Sequence, residues 1–444
     1  MLVDRYPAED VFARVPELAE QTDPVLKQLD LFLDDDDLYM MVRADLGHRH
    51  RYTLVRGRHS TPVEVILRLL LVKHLYGWSY QETLDRVADS LVLRWFTRVS
   101  FQPLPDESTL IRWAHTLRPE TLHALNDRVV ELATQAKVTR GRKLRLDATC
   151  ARLVQRAKPL VAQAGTRVTQ VKELCRSRLR TARRTAQSLH RFLRRKSETK
   201  EEEQRTLYRH LIETTEQMVT QVKRVTAVLG QSSEQPAKRL LEGVTSVLPL
   251  IERVITQARV RVLAGGKVEA KAKVLSLYEP HTRAIPRHKG GAQIEFGRQV
   301  VLDEVEGGIV TRYQVLADGE SDRGQGLPAL AHHQGLFGHP PQQMAGDRGI
   351  HSPTTAQQAK AAGVQVVAIP ALGSVSAVRR EEERSRRWKR AYRWRAGIEG
   401  RIHSLRRDYG LRKCSYHGPD GMERWVGWGI LTSNLHHIAA AKAA

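Results

Sequence analysis

Cysteine is scarce: Cys150, Cys175 and Cys414 are the three in 444 residues, too scattered for a disulfide framework or for zinc-ligand spacing. No apolar stretch reaches the roughly 18 residues that a membrane helix needs, and the opening MLVDRYPAEDVFARV has neither a basic leader nor an apolar signal core. Membrane insertion and secretion are therefore not expected, and a cytosolic location is. Acidic residues are few beside basic ones, 49 Asp plus Glu against 72 Lys plus Arg, a formal charge of +23. That imbalance calls for a polyanionic partner, because each phosphate neutralised by Lys or Arg releases condensed counterions. Aspartate is missing altogether from residues 151–262, which hold 24 Lys plus Arg against 10 Glu, a surplus of 14. More than half of the excess charge thus sits in one quarter of the chain. Apolar residues make up 41%, enough to fill the cores of two or three domains.

Residues 1–57 read as an irregular lead-in, with the consecutive aspartates Asp34 to Asp37 expected as a solvated acidic turn rather than a metal site. Residues 58–138 read as a helical N-terminal domain for DNA binding or dimerisation. Thr61-Pro62-Val63-Glu64 predicts a capping Thr, Pro at the first helical position and Glu at the third, with the helix running on through VILRLLLVKHLY to a stop at Gly77. Ser79 with Glu82 opens a second helix and Asp106 a third, in a helix-turn-helix or a small bundle. RGRKLRLDA then alternates as a strand does and ends on a carboxylate, giving a first core strand over 139–150 that closes at Asp147. Residues 151–264 read as a basic helical insertion. Its apolar positions are Val168, Val171 and Leu174, then Leu207, Leu211, Met218, Val222 and Val225; Thr199 with Glu202 marks a capping box, and a third helix begins near Gln235.

Over 265–444, KVLSLY, IEFGRQVVLDE and IVTRYQVLAD predict an antiparallel meander turning at Glu306-Gly307-Gly308. A short helix (GLPALAHH), a strand ending at Asp347, a helix over Thr354–Ala362, a strand over Val364–Ile369 and one long helix from Glu381 to Arg407 follow. The fold class is α/β: a mixed sheet flanked by helices, with an all-helical N-terminal domain and a long helical insertion after the first core strand.

Asp147 and Asp347 at strand ends and Glu399 on a later helix can converge on one sheet edge. Phosphodiester chemistry uses two metal ions roughly 3.5 to 4 Å apart, and Mg²⁺ asks for a few carboxylates rather than His or Cys. Strand-end aspartates also serve as helix caps or salt bridges, so the acids alone leave both readings open. Tyr392, Arg395, Glu399 and Arg406 stand at offsets 0, 3, 7 and 14, one stripe of a continuous helix beside the apolar stripe of Ile398, Ile402 and Leu405. An acid flanked by two guanidinium groups and a phenol suits a site that holds metal and grips phosphate.

Ala345-Gly346-Asp347-Arg348-Gly349 and the Tyr392, Arg395, Glu399, Arg406 spacing resemble the second-acid and third-acid motifs of the DDE transposases of bacterial insertion sequences, which have an RNase H-like catalytic core. EPHTRAIPRHKGG, RAGIEGRIHSLRRDYGL and YHGPDGMERWVGWGILTSNL are similar to blocks of a less common group with a helical N-terminus; the resemblance covers roughly residues 60–150 and 265–440. Arg406 stands where that family has Lys, and DATCARLVQRAK departs from the Asn-rich sequence that follows its first acid.

The resemblance implies metal-dependent cleavage at the element's ends and strand transfer into target DNA, with Asp147, Asp347 and Glu399 as catalytic metal ligands for Mg²⁺ or Mn²⁺. It assigns DNA contacts to Tyr392, Arg395, Arg406 and Arg348. The partners implied are double-stranded DNA, at the element ends and the target, and further copies of the chain, a homodimer or higher in the synaptic complex; the location implied is the bacterial cytoplasm, at the nucleoid. Two other readings stand beside it: an RNase H-like nuclease without strand transfer, and a domesticated DNA-binding protein. Trp425 and Trp428 read as core or as stacking platforms for an unpaired base, and His332, His333, His339 and His351 as loop residues or DNA contacts.

Overall fold

The computed structural model describes residues 1–6, 16–17, 22–49, 51–55, 59–153, 179–193, 200–230, 235–269, 272–277, 279–286, 294–317, 320–371, 373 and 375–444. By its contacts the chain divides into two units, residues 1–154 with 285–444, and residues 155–284.

The first unit opens with α1 (Pro24–Leu33), α2 (Asp36–Gly47), α3 (Val63–Tyr76), α4 (Tyr80–Asp89), α5 (Leu91–Phe96), α6 (Glu107–Thr116) and α7 (Pro119–Gln135). The expected irregular lead-in is corrected by α1 and α2, and the acidic run between them is structural rather than a solvated turn. Asp35 caps α2 by accepting from the Leu38 N–H at 3.1 Å and pairs with Arg128 at 2.7 Å. Asp34 pairs at 2.7 Å with Arg68, a fully buried guanidinium that also reaches Asp30 and Glu64. A buried Arg is tolerable only with its charge matched, and the aspartates match it.

Helix α3 begins one residue later than expected. Pro62 is its cap and has no side chain to give, so the free N–H groups of Val63 and Glu64 donate to the carbonyls of Val3 and Asp4. Every residue from Val63 to His74 is buried, which makes α3 the centre of a bundle and removes it as a groove-reading helix. Ser79 and Asp106 cap α4 and α6 as expected, accepting from the Glu82 and Thr109 N–H groups at 3.1 and 2.7 Å.

Among the seven strands of the sheet are β1 (Lys143–Leu153), β2 (Ile294–Val305), β3 (Val310–Val315), β4 (Gln343–Gly346) and β5 (Val366–Ala368). They lie in the order β3-β2-β1-β4-β5, with β2 antiparallel to both its neighbours and β1, β4 and β5 mutually parallel. This is the RNase H-like mixed sheet. A short β6 (Lys413–Cys414) pairs with the far end of β1. One face carries Leu144, Leu146 and Val305 into a core shared with α1 to α7 and with Trp428, Leu431 and Ile438 of the C-terminal helix. The other carries Ala151, Val300 and Leu302 against Leu405, Met422 and Val426.

The second unit holds α8 (Leu179–Leu193), α9 (Lys200–Leu229) and α10 (Gln235–Ala258). Ile212, Val219 and Ile255 form its small core, and Glu216 pairs with Arg259 at 2.7 Å. Val168, Val171, Leu174 and Thr199 lie outside the described residues. This unit runs to Ala284 rather than to 264. KVLSLY is corrected from strand to irregular chain over its described residues 273–277, where the Val274 N–H donates to the Gln257 side chain instead of to a neighbouring strand.

The remaining helices are α11 (Gly326–Phe337), α12 (Pro353–Ala361), α13 (Ala377–Arg384), α14 (Arg386–Arg395), α15 (Gly397–Asp408) and α16 (Gly418–Ala443). The single long helix expected over 381–407 is therefore three, broken at extended Ser385, which caps α14, and again at Ala396. His332 and His333 lie on α11, not in a loop. His332 pairs with Asp127 at 3.1 Å, and fully buried His333 bonds through Nε2 to the Gly141 carbonyl at 2.8 Å.

Burial, partly offset by the Gly141 carbonyl, holds the His333 imidazole down at about 4. Between that value and the unfolded value near 6.5 the unfolded chain binds the extra proton, so stability rises with pH there. Thermal melts are expected to give a midpoint that holds above pH 6.5 and falls as pH drops toward 4, and His333→Gln to flatten that limb. An unchanged limb in the variant contradicts the assignment.

Candidate active site

Strand β1 positions the first acid. It does not end at Asp147, as the alternation suggested, but continues to Leu153, paired with β2 through Asp147↔Leu302 to Ala151↔Arg298. On its other side the pairing with β4 stops at Leu146↔Gly346. Asp147 and Asp347 are the next residues on the two parallel strands, which neighbour one another at about 4.8 Å. Asp147 thus sits at a fork where one neighbour departs, a crevice beyond a strand's carboxyl end. Asp347 is exposed, and its Oδ1 accepts from the Arg348 N–H at 2.8 Å.

Glu399 comes from the first turn of α15. Arg395 joins it to the first acid: one guanidinium nitrogen lies 3.0 Å from Asp147 Oδ2 and another 3.4 Å from Glu399 Oε1. Burial pushes the Asp147 carboxyl above the usual carboxylate range, and the negative charges of Asp347 and Glu399 push the same way. The Ala148 N–H and Arg395 pull against them. The three acids therefore share one electrostatic neighbourhood. Among the described residues no three His, Cys, Asp or Glu side chains converge closely enough, as they stand, to hold a metal ion. The space between Asp147 and Glu399 is bridged by a guanidinium.

Tyr392 stacks on Trp388 at 5.1 Å and carries the Arg395 guanidinium over its ring at 5.5 Å. Arg406, two turns beyond Glu399, stands 3.6 Å from Glu295. Arg348 is exposed beside Asp347. The stripe expected on one helix is thus split, with Tyr392 and Arg395 on α14 and Glu399 and Arg406 on α15. Trp428 is fully buried and Trp425 nearly so, its Nε1 donating to the Gly410 carbonyl at 2.8 Å; both belong to the core.

The break between α14 and α15 has a cause that the sequence reading missed. Arg145, two residues before Asp147 and on the same strand face, donates at 2.6 Å to the Trp394 carbonyl, the acceptor that a continuous helix would offer to the Ile398 N–H. A Cβ on Gly397 would overlap that guanidinium, so a side chain there would have to displace it from the Trp394 carbonyl. Arg145 is itself held by Glu304, 1% exposed, at 2.7 and 2.9 Å, with Arg401 3.7 Å from the same carboxylate. The signal was present: period-two alternation sets Lys143, Arg145 and Asp147 on one face.

Cys150 and Cys414 are buried outside any disulfide, Cys175 lies outside the described residues, and no described helix is long and apolar enough to cross a membrane. No curated protein and no solved structure gives a match. Two family models do: one described as a transposase domain (DUF772) over residues 15–116, and one described as a transposase DDE domain over residues 272–435. With the acids at a sheet fork and the strand order of RNase H, these matches make the chain a member of the DDE transposases of the insertion-sequence type.

Proposed function

We propose that the chain cuts DNA at the ends of an insertion sequence and joins the freed 3′ ends to target DNA, with Asp147, Asp347 and Glu399 as its catalytic carboxylates. The observation that carries this is the register Leu146↔Gly346, which sets Asp147 and Asp347 side by side at the fork. Members of the family use divalent metal ions. The donor set suits Mg²⁺ or Mn²⁺, since it is all oxygen; burial first, and then the charges of Asp347 and Glu399, raise the Asp147 carboxyl, which a bound cation would offset. Asp147, Asp347 and Glu399 would hold the ions, which when bound supply activation of the attacking oxygen and neutralisation of the leaving one.

The chain's own residues bind and orient. Arg395 is the local counter-charge to Asp147 and Glu399, and with Arg348 and Arg406 it grips strand phosphates. Tyr392, backed by Trp388, orders the strand beside the cut. Because strand transfer needs defined ends, the DNA partner is double-stranded at both element end and target, and a synapse of two ends brings together at least two copies of the chain. This work belongs in the cytoplasm, at the nucleoid.

The test is to incubate purified protein with duplex carrying the element's own ends. With Mg²⁺ or Mn²⁺, nicking at the end and joined products are expected; with EDTA, binding without cutting. Cutting that ignores the end sequence and yields no joined product favours a plain nuclease, and binding without metal-dependent cutting favours a domesticated DNA-binding protein.

A further inference from the structure

A cavity of about 270 Å³ opens beside α15, lined by Lys73, Trp78, Arg406, Arg412, Lys413 and Trp425 among others, with no carboxylate in its wall. A recess walled by one sign of charge concentrates counter-ions. Lys73 sets it apart from an ordinary basic surface. The residue is 4% exposed, and among the described residues no carboxylate pairs with it. Its ammonium lies instead against the rings of Tyr80, Trp425 and Tyr416, at 4.7, 5.0 and 5.6 Å. Ring faces compensate a buried cation only in part. Arg412 and Lys413 are exposed at the rim and have no acidic partner among the described residues.

The aromatic side chains here are already engaged. Trp78 stacks on Tyr76 at 4.5 Å, and Trp425 gives its N–H to Gly410 and a face to Lys73. The recess therefore offers charge rather than a platform for a base. Its wall also shares α15 with Glu399. Arg406 follows Glu399 by two helical turns, about 10 Å along the axis, which is about three nucleotides of duplex at 3.4 Å each.

We propose that this recess binds one phosphate of the DNA strand leading away from the cut, with Lys73 as the buried charge at its floor and Arg412 and Lys413 at its rim. The proposal rests on the DNA-cutting reading above and adds to it a phosphate site built partly from the N-terminal helices.

Two variants test it: Lys73→Met, which keeps the buried aliphatic stem, and Arg412→Gln with Lys413→Gln, which alters only exposed side chains and so reports whether or not the first variant folds. Binding of a short duplex is measured across a salt series, and acylation of Lys73 by acetic anhydride is followed by mass spectrometry. The log–log salt slope is expected to fall by up to about 0.9 for either variant, since one phosphate is held, and duplex to protect Lys73. Unchanged slopes in both variants overturn the proposal. Protection by inorganic phosphate but not by duplex overturns it too, assigning the recess to free phosphate. Absence of cutting by the wild type removes the DNA-cutting reading, whereas the slopes and protection still judge the recess.

Discussion

Asp347→Ala is expected to lower metal-dependent cleavage by on the order of a thousandfold while end binding stays within about twofold. Asp347 is exposed and spends one oxygen on the Arg348 N–H, so its loss opens no cavity and breaks no buried pair. What it removes is a negative group beside Asp147 where charge must be matched during phosphoryl transfer, and groups of that kind contribute about two to three powers of ten each. Single-turnover cleavage with matched binding curves measures both quantities. Wild-type cleavage by the variant would dismiss Asp347 from the site, and loss of binding together with cutting would make its role structural.

The second large effect is expected at Arg145. Arg145→Met leaves Glu304 charged, almost fully buried and short of its bidentate partner, and removing one member of such a pair typically costs about 3 to 5 kcal/mol. Denaturant or thermal unfolding reads that loss. Adding Glu304→Leu is expected to restore much of the stability, since a buried pair replaced by apolar side chains is often neutral. Activity is expected to stay down by on the order of a hundredfold, because the guanidinium no longer holds the Trp394 carbonyl and Glu399 loses the contact that sets its direction; displacements of about an ångström at reacting groups cost that much. A double variant that recovers both stability and cleavage would show that Arg145 is only a structural charge.

The sequence made legible whatever local chemistry decides. The caps at Ser79 and Asp106, the stop at Gly77 and the strands bearing Asp147 and Asp347 follow from residue type and spacing. What escaped depended on partners distant in the chain. Asp34 and Asp35 look like solvated turn residues until Arg68 and Arg128 arrive from other helices. Pro62 caps α3 because carbonyls near the N-terminus take the free N–H groups. The third-acid helix reads as continuous because its interruption is imposed by a guanidinium some 250 residues earlier. Of the site, the residue types were readable, and the face on which Arg145 accompanies Asp147 was readable in principle. The bridging of two acids by Arg395 was not, since it needs the distance between two elements.

Asn126 of α7 donates to the Val310 and Thr311 carbonyls on the outer strand and accepts from Asn434 of α16, which itself bonds both the N–H and the carbonyl of Val310. Together with the apolar interior common to both ends of the chain, this rivets the helices α1 to α7 to the sheet. A graft that replaced these leading helices would leave the Val310 and Thr311 carbonyls and the Asn434 amide short of their partner on α7.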